Sequence, residues 1–335
     1  SDITTEMLGI GEEKGIILMR LMMFTVMLSS LNALMFHVVI PEISEEFNLT
    51  LAQASWLSSA YTLIYAFGTV TYGKLSDRFQ LKTLLTFGLS LFAIGSLIGF
   101  ISQSFWTALL GRCLQSAGAA SVPAISLIIP VKSFAPEKRG SALSMTAVGV
   151  ALGSALSPVV SALIVSFANW RWLFLPSLLI LVLLPVYRKL FEHEPNNNSQ
   201  KTIDWIGGSL LAASIPLLLL GVTNQEWFYL PFGLLTFFLF IVRIFTAKEA
   251  FIQPQLLRNK KYTIALGMSF AISCIGISLF FLTPIMLSDV YHLKSNWIGF
   301  AMIPAALTAA ILGKQGGKLA DRKGNTYLFS VASSS

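Results

Sequence analysis

The side chains most able to do chemistry in this sequence are polar groups lodged in apolar stretches. Arg112 and Gln115 lie in Leu110-Gly111-Arg112-Cys113-Leu114-Gln115-Ser116-Ala117-Gly118-Ala119. Asn32 and His37 lie in Leu31-Asn32-Ala33-Leu34-Met35-Phe36-His37-Val38-Val39-Ile40-Pro41. An arginine in such a setting is costly unless a partner or a water-filled cavity receives it. It brings a permanent charge and a fork of donors, whereas His37 brings an imidazole, the side chain whose unperturbed charge change lies nearest neutral pH. All 16 acidic residues fall in loops, tails or the ends of apolar runs, so no carboxylate is expected deep within one. No Ser/His/Asp set, paired carboxylates, cysteine cluster or phosphate-binding glycine loop is present, so no enzyme is expected, and no metal or cofactor. Cys113 and Cys274 are small buried hydrophobes by the same reading, without disulfide or metal spacing.

The elements that would position these groups follow from composition. Charged residues make up 12% of the 335 residues and hydrophobic ones 55%. A soluble domain carries about 25% charged residues, so the apolar surface here calls for a bilayer. About 20 apolar residues span its core as a helix. Ten such runs are centred near Ser29, Tyr65, Ser90, Ala120, Ser154, Leu179, Ile215, Phe237, Ile275 and Ala305. They are continuous rather than alternating, which excludes barrel strands. The expected fold is an all-α membrane bundle. The first run follows a polar start and lacks a small-residue cleavage site, so it is expected to remain as a span rather than leave as a signal peptide.

Charge placement orients the spans. Of the 23 basic residues, all but Arg112, Arg171 and Lys294 fall on one side when the N-terminus is inside. The first outside loop carries Glu42, Glu45 and Glu46 without a base. The net charge of +7 therefore reflects membrane topology, and no nucleic-acid partner is expected. Two breaks organise the chain: the polar stretch from Glu192 to Lys201, which reads as a solvated linker, and the basic stretch from Lys248 to Lys261 with Pro254. They isolate the seventh and eighth runs as a pair.

The sequence also repeats. Gly73-Lys74-Leu75-Ser76-Asp77-Arg78 recurs as Gly317-Lys318-Leu319-Ala320-Asp321-Arg322, each copy following a span on the expected cytoplasmic side. Two similar helical halves are expected, as in transporters built from parallel repeats. The expected organisation is a six-helix half over 1–191, a linker with an inserted helix pair over 192–256, and the start of a second half over 257–335.

On these residues the chain resembles the major facilitator superfamily, specifically the 14-span drug:proton antiporters that include the Gram-positive tetracycline exporters. Gly73, Leu75, Asp77, Arg78 and Lys82 match its loop motif, with Gln80 in place of the second glycine, which the later copy keeps as Gly324. Leu31 to Pro41 is similar to its first-helix motif, with Asn32 at the acidic position, and Trp56 and Tyr61 match the start of its second helix. Arg112, Gln115 and Gly118 fit its fourth-helix motif. Gly149, Gly153 and Pro158 fit its antiporter helix, with serine or alanine at the later glycines, and Asn169-Trp170-Arg171-Trp172 matches its junction into span six.

The resemblance implies a bundle with about ten of fourteen transmembrane helices present. It gives Gly73, Asp77, Arg78, Gly317, Asp321 and Arg322 the role of a conformational latch. Arg112, with Gln115, Asn32 and His37, would serve proton coupling or substrate binding. The other reading of Arg112 is structural, bonded to backbone or Gln115 oxygens. Gly149, Gly153 and Pro158 would shape the antiporter helix, although small residues at this spacing also serve packing alone, and the Trp170 and Trp172 junction also suits an interfacial anchor. The implied function is secondary active export of drugs or amphipathic metabolites by proton antiport, tetracycline-like or multidrug. The partners would be a small-molecule substrate, protons and lipid, in the bacterial cytoplasmic membrane with the N-terminus inside. The alternative is a truncated, non-transporting scaffold or regulator, because the layout requires further helices after the tenth run.

Overall fold

A computed structural model describes residues 12–192, 194, 204–223, 227–248, 250–301 and 304. The described elements are helical: α1 (Glu12–Met35), α2 (Ile40–Glu46), α3 (Leu51–Ala54), α4 (Trp56–Leu75), α5 (Leu81–Phe100), α6 (Phe105–Ala119) and α7 (Ser121–Ser133). These are followed by α8 (Pro136–Phe167), α9 (Ile180–Leu190), α10 (Trp205–Thr223), α11 (Tyr229–Thr246), α12 (Pro254–Arg258), α13 (Lys260–Asp289) and α14 (Ser295–Ala301). Three 3-10 turns, Phe36–Val39, Trp170–Phe174 and Pro176–Leu179, join or extend them. Each of the first nine apolar runs lies on helix. The tenth, centred near Ala305, and the second loop-motif copy with Gly317, Asp321 and Arg322 lie outside the described residues.

Among the described residues, six helical stretches are long and apolar enough to cross a membrane: Glu13–Glu46, Leu81–Phe100, Phe105–Ser133, Pro136–Phe167, Trp170–Leu190 and Tyr229–Thr246. The chain is a multi-pass α-helical membrane protein. Helix α4 is more polar, yet its threonine hydroxyls are satisfied within the helix. Thr62, Thr69 and Thr71 donate to the carbonyls of Ser58, Tyr65 and Phe67 one turn back. Such self-bonding lets a threonine-bearing helix enter an apolar environment without orphaned donors. Between α6 and α7 the helix breaks at Ala120, ahead of Pro123, whose ring nitrogen has no hydrogen to give to the preceding turn.

By contacts the chain divides into residues 1–197 with 283–335, and residues 198–282. In the first unit, glycines set how closely helices approach. A Cβ on Gly95 would stand 2.7 Å from the Gly111 carbonyl oxygen, and one on Gly111 would stand 2.7 Å from the Gly99 amide, so α5 and α6 touch backbone to backbone. Helix α8 meets α1 in the same way. A Cβ on Gly149 or Gly153 would come within 2.5 Å of the carbonyl oxygen of Met23 or Met27. Gly299 of α14 packs on Pro158 and Ala162 of α8. In the second unit α10 packs on α11, and Asp204 accepts from the Gly207 amide at 3.0 Å while pairing with Arg243 at 3.1 Å.

One end of the first unit is tied by Glu46. Its carboxylate accepts from the Trp170 indole at 2.5 Å and the Arg171 guanidinium at 2.8 Å. Trp170 is wholly buried and Trp172 is 48% exposed, so one aromatic of the junction is core and the other faces outward.

Candidate functional site

The site is built where α1 changes its winding. The turn from Phe36 to Val39 is 3-10 rather than α. A 3-10 turn bonds i→i+3 rather than i→i+4, so the hydrogen-bond pattern of the α1 carbonyls changes at the junction. Side chains from two other helices supply donors there. Arg112 Nη1 donates to the Asn32 carbonyl at 3.3 Å and Nη2 to the Ala33 carbonyl at 3.4 Å. Ser161 of α8 donates to the Met35 carbonyl at 3.0 Å.

Arg112 is fully buried on α6 and reaches both α1 and α4. Its Nε donates to the Leu57 carbonyl of α4 at 3.1 Å, and Nη1 also donates to Gln115 Oε1 at 3.2 Å. The guanidinium carbon lies 4.2 Å from the Phe36 ring centroid and 4.0 Å from that of Tyr61. None of these partners is a carboxylate. The charge is held by carbonyl dipoles and two aromatic faces, the arrangement that lowers the penalty of a cation away from water.

Gln115 extends the network. Its Nε2 donates to Ser96 of α5 at 2.8 Å and to Ser177, at the start of the segment leading to α9, at 3.4 Å. Ser177 donates to Asn32 Oδ1 at 3.0 Å, and Asn32 Nδ2 returns to Gln115 Oε1 at 3.4 Å. The ring of contacts closes through three segments of the bundle, with Ser96 of a fourth joined to it. The same helices are tied nearby by Ser116, which donates to the Tyr61 carbonyl, and by Tyr72, which donates to the Ala117 carbonyl at 2.9 Å.

Of the residues singled out by sequence, the structure brings Asn32, Arg112 and Gln115 into one network. His37 is buried on the 3-10 turn, adjacent in sequence to the Phe36 that stacks on Arg112. Gly149, Gly153 and Pro158 share α8, the two glycines against α1 and Pro158 against Gly299 of α14. Gly73 stands in open space, and Asp77 and Arg78 are exposed in the turn beyond α4.

Three contributors were not legible as site residues. Ser96 and Ser177 are isolated serines in apolar runs, with no spacing to mark them. Glu194, read as part of a solvated linker, caps α5: its carboxylate accepts the amides of Leu81 and Lys82 at 2.7 and 3.1 Å, and its carbonyl accepts Gln80 Nε2 at 3.0 Å. A lone glutamate more than 100 residues from the helix it caps leaves no local signature.

A family model described as Major Facilitator Superfamily matches residues 22–335. The riboflavin transporter RibZ of Clostridioides difficile (strain 630) is 26% identical over 305 residues, covering 89% of this chain and 66% of that protein. Multidrug resistance protein 3 of Bacillus subtilis (strain 168) is 28% identical over 278 residues, covering 78% of this chain and 53% of that protein. The chain thus spans between 53% and 66% of the length of these two curated relatives. Among solved structures, the peptide transporter POT in complex with sulfate superposes with a TM-score of 0.60 at 18% identity, covering 92% of this chain and 70% of that one. That likeness is one of fold.

Proposed function

Because the chain belongs to the Major Facilitator Superfamily, we propose that it is part of a secondary active transporter that exports drugs or amphipathic metabolites by proton antiport. Members of such a family move small molecules rather than transform them, which agrees with the absence of a catalytic set from the sequence. The observation that carries the reading is the Arg112 network: an ionisable group buried in an apolar bundle, joined to Asn32 and Gln115 and supported by α1, α4 and α6. An intramembrane charge of this kind is retained for function by default, because an apolar replacement would be easier to bury. The relatives named for multidrug resistance and riboflavin transport support organic, partly aromatic substrates over simple ions. Within this reading fall tetracycline-like or multidrug substrates, a 14-span layout, the three-part organisation at residues 191 and 256, and a bacterial cytoplasmic membrane with the N-terminus inside.

Arg112, Gln115, Asn32 and His37 are assigned to coupling or substrate binding, and Gly73, Asp77 and Arg78 with the second copy at Gly317, Asp321 and Arg322 to the latch between states. The test is gradient-driven efflux in inverted vesicles carrying the full-length protein, with Arg112→Ala beside the parent. Efflux that needs the proton gradient and falls in the variant is the expected result. Transport that survives both the substitution and collapse of the gradient defeats antiport.

A further inference from the structure

The connection from α11 to α13 is tied to helix ends on both sides. Helix α11 is one of the stretches long and apolar enough to cross a membrane, so the residues that follow Thr246 start at a bilayer face. The chain then turns back. Ala250 and Phe251 are buried, and the Phe251 ring packs on the first turn of α10, where a Cβ at Gly208 would stand 3.2 Å from it. The Asp204–Arg243 pair joins the start of α10 to the last turn of α11 at the same end. On the other side, Thr263 of α13 donates to the Leu257 carbonyl at 2.8 Å. Asn259 Oδ1 accepts the amides of Lys261 and Tyr262 at 3.2 and 3.4 Å, which fixes the turn from α12 into α13.

Between these ties the connection presents two kinds of side chain. No residue of α12 is buried, and Leu256 and Leu257 are 46% and 47% exposed. Lys248, Arg258, Lys260 and Lys261 are exposed as well. Among the described residues, their side chains have no hydrogen-bond or ion-pair partner. From Ala247 to Tyr262 the sequence holds a single acidic residue, Glu249. A solvated loop would explain the cations but not two adjacent leucines left in water. A flank covered by acyl chains would explain the leucines but not the cations. A short apolar ridge that carries cations and is fixed at a bilayer face suits the boundary between them, with leucines at the acyl edge and cations among the phosphates.

We propose that α12, with Lys248, Arg258, Lys260 and Lys261, is a docking surface for anionic phospholipid headgroups of the bilayer. Charge complementarity selects this occupant. A zwitterionic headgroup offers the same phosphate but brings its own cation, so it is held less tightly. The leucines distinguish a lipid from a free anion, because they give a surface only to a molecule with acyl chains. The inference does not depend on which molecule is transported.

The full-length protein in micelles of an uncharged detergent is titrated with dioctanoyl phosphatidylglycerol, dioctanoyl phosphatidylcholine or sn-glycerol 1-phosphate. Apparent affinity is read from the rise of the unfolding midpoint with each. Phosphatidylglycerol is expected to act at lower concentration than phosphatidylcholine, and glycerol phosphate to have no effect. Lys260→Gln combined with Lys261→Gln should weaken phosphatidylglycerol by about tenfold or more, while Lys260→Arg with Lys261→Arg should retain it. Leu256→Ser with Leu257→Ser should weaken it too. Arg188→Gln with Lys189→Gln, which removes two cations from the last turn of α9, should leave it at the parent's value. Equal response to the two lipids, no loss in the glutamine or serine variant at α12 and α13, or the same loss in the Arg188 and Lys189 control overturns the proposal. Glycerol phosphate matching phosphatidylglycerol identifies a free-anion site only and overturns it as well. If a variant does not fold, the parent decides. Raising salt from about 0.1 M to about 1 M shortens the screening length from about 10 Å to about 3 Å, and a lipid preference that persists unchanged through that rise also overturns it.

Discussion

The Glu194 carboxylate caps a helix whose first residue, Leu81, lies 113 positions away in sequence, accepting the Leu81 amide at 2.7 Å. Its second oxygen accepts the Lys82 amide at 3.1 Å. The first amides of a helix have no partner within it, and a negative charge there also meets the positive end of the helix dipole. The stretch after span six is thereby tied to the loop that carries Asp77 and Arg78.

Glu194→Ala should lower stability by about 1–2 kcal/mol, the usual worth of a good cap with its charge. Glu194→Gln keeps an acceptor oxygen but loses the charge, so it should fall between parent and alanine variant. Thermal unfolding midpoints in detergent micelles check the order. If all three proteins unfold together, the cap contributes nothing.

Arg112→Ala should be among the most damaging single changes in the first unit. It leaves the Asn32, Ala33 and Leu57 carbonyls without the side-chain donor they have now, each worth about 1–3 kcal/mol if left unsatisfied. Arg112→Lys should recover only part, because one ammonium cannot reproduce a planar fork that reaches α1, α4 and Gln115 together. Yield of folded protein and unfolding midpoint, measured beside transport, separate loss of bracing from loss of coupling.

Three glycines of the recognised motifs should differ sharply. Alanine at Gly149 or Gly153 places a Cβ 2.5 Å from a carbonyl oxygen of α1, so the helices must part, at a cost of about 1–3 kcal/mol. Alanine at Gly73 meets nothing within 4 Å and should be neutral or stabilising by up to about 1 kcal/mol. Midpoints for the three variants decide it. A Gly73→Ala variant that folds normally but transports poorly would point to a state-dependent contact at that turn.

The orientation is open to cysteine labelling. With Cys113 and Cys274 replaced by serine, a cysteine at Asn48 should react with a membrane-impermeant maleimide in intact cells. A cysteine at Lys138 should react only after the membrane is opened. The reverse pattern inverts the topology proposed from charge placement.

The helical membrane fold was written in the sequence because apolar run length and basic-residue sidedness are one-dimensional quantities, and the bilayer reads them one segment at a time. The motifs at Arg112, Gly153 and Asp77 were legible for a similar reason: each is a local pattern of unusual residues. Tertiary structure alone decided what these residues touch. Arg112 could have faced a cavity or a partner; packing instead encloses it between Phe36 and Tyr61 and spends its donors on the Asn32 and Ala33 carbonyls of α1, the Leu57 carbonyl of α4 and Gln115. Ser96, Ser177 and Glu194 acquire their roles only when helices distant in sequence meet. A serine in an apolar run has no periodicity to advertise it. Whether its hydroxyl is satisfied depends on which neighbour three-dimensional packing sets beside it.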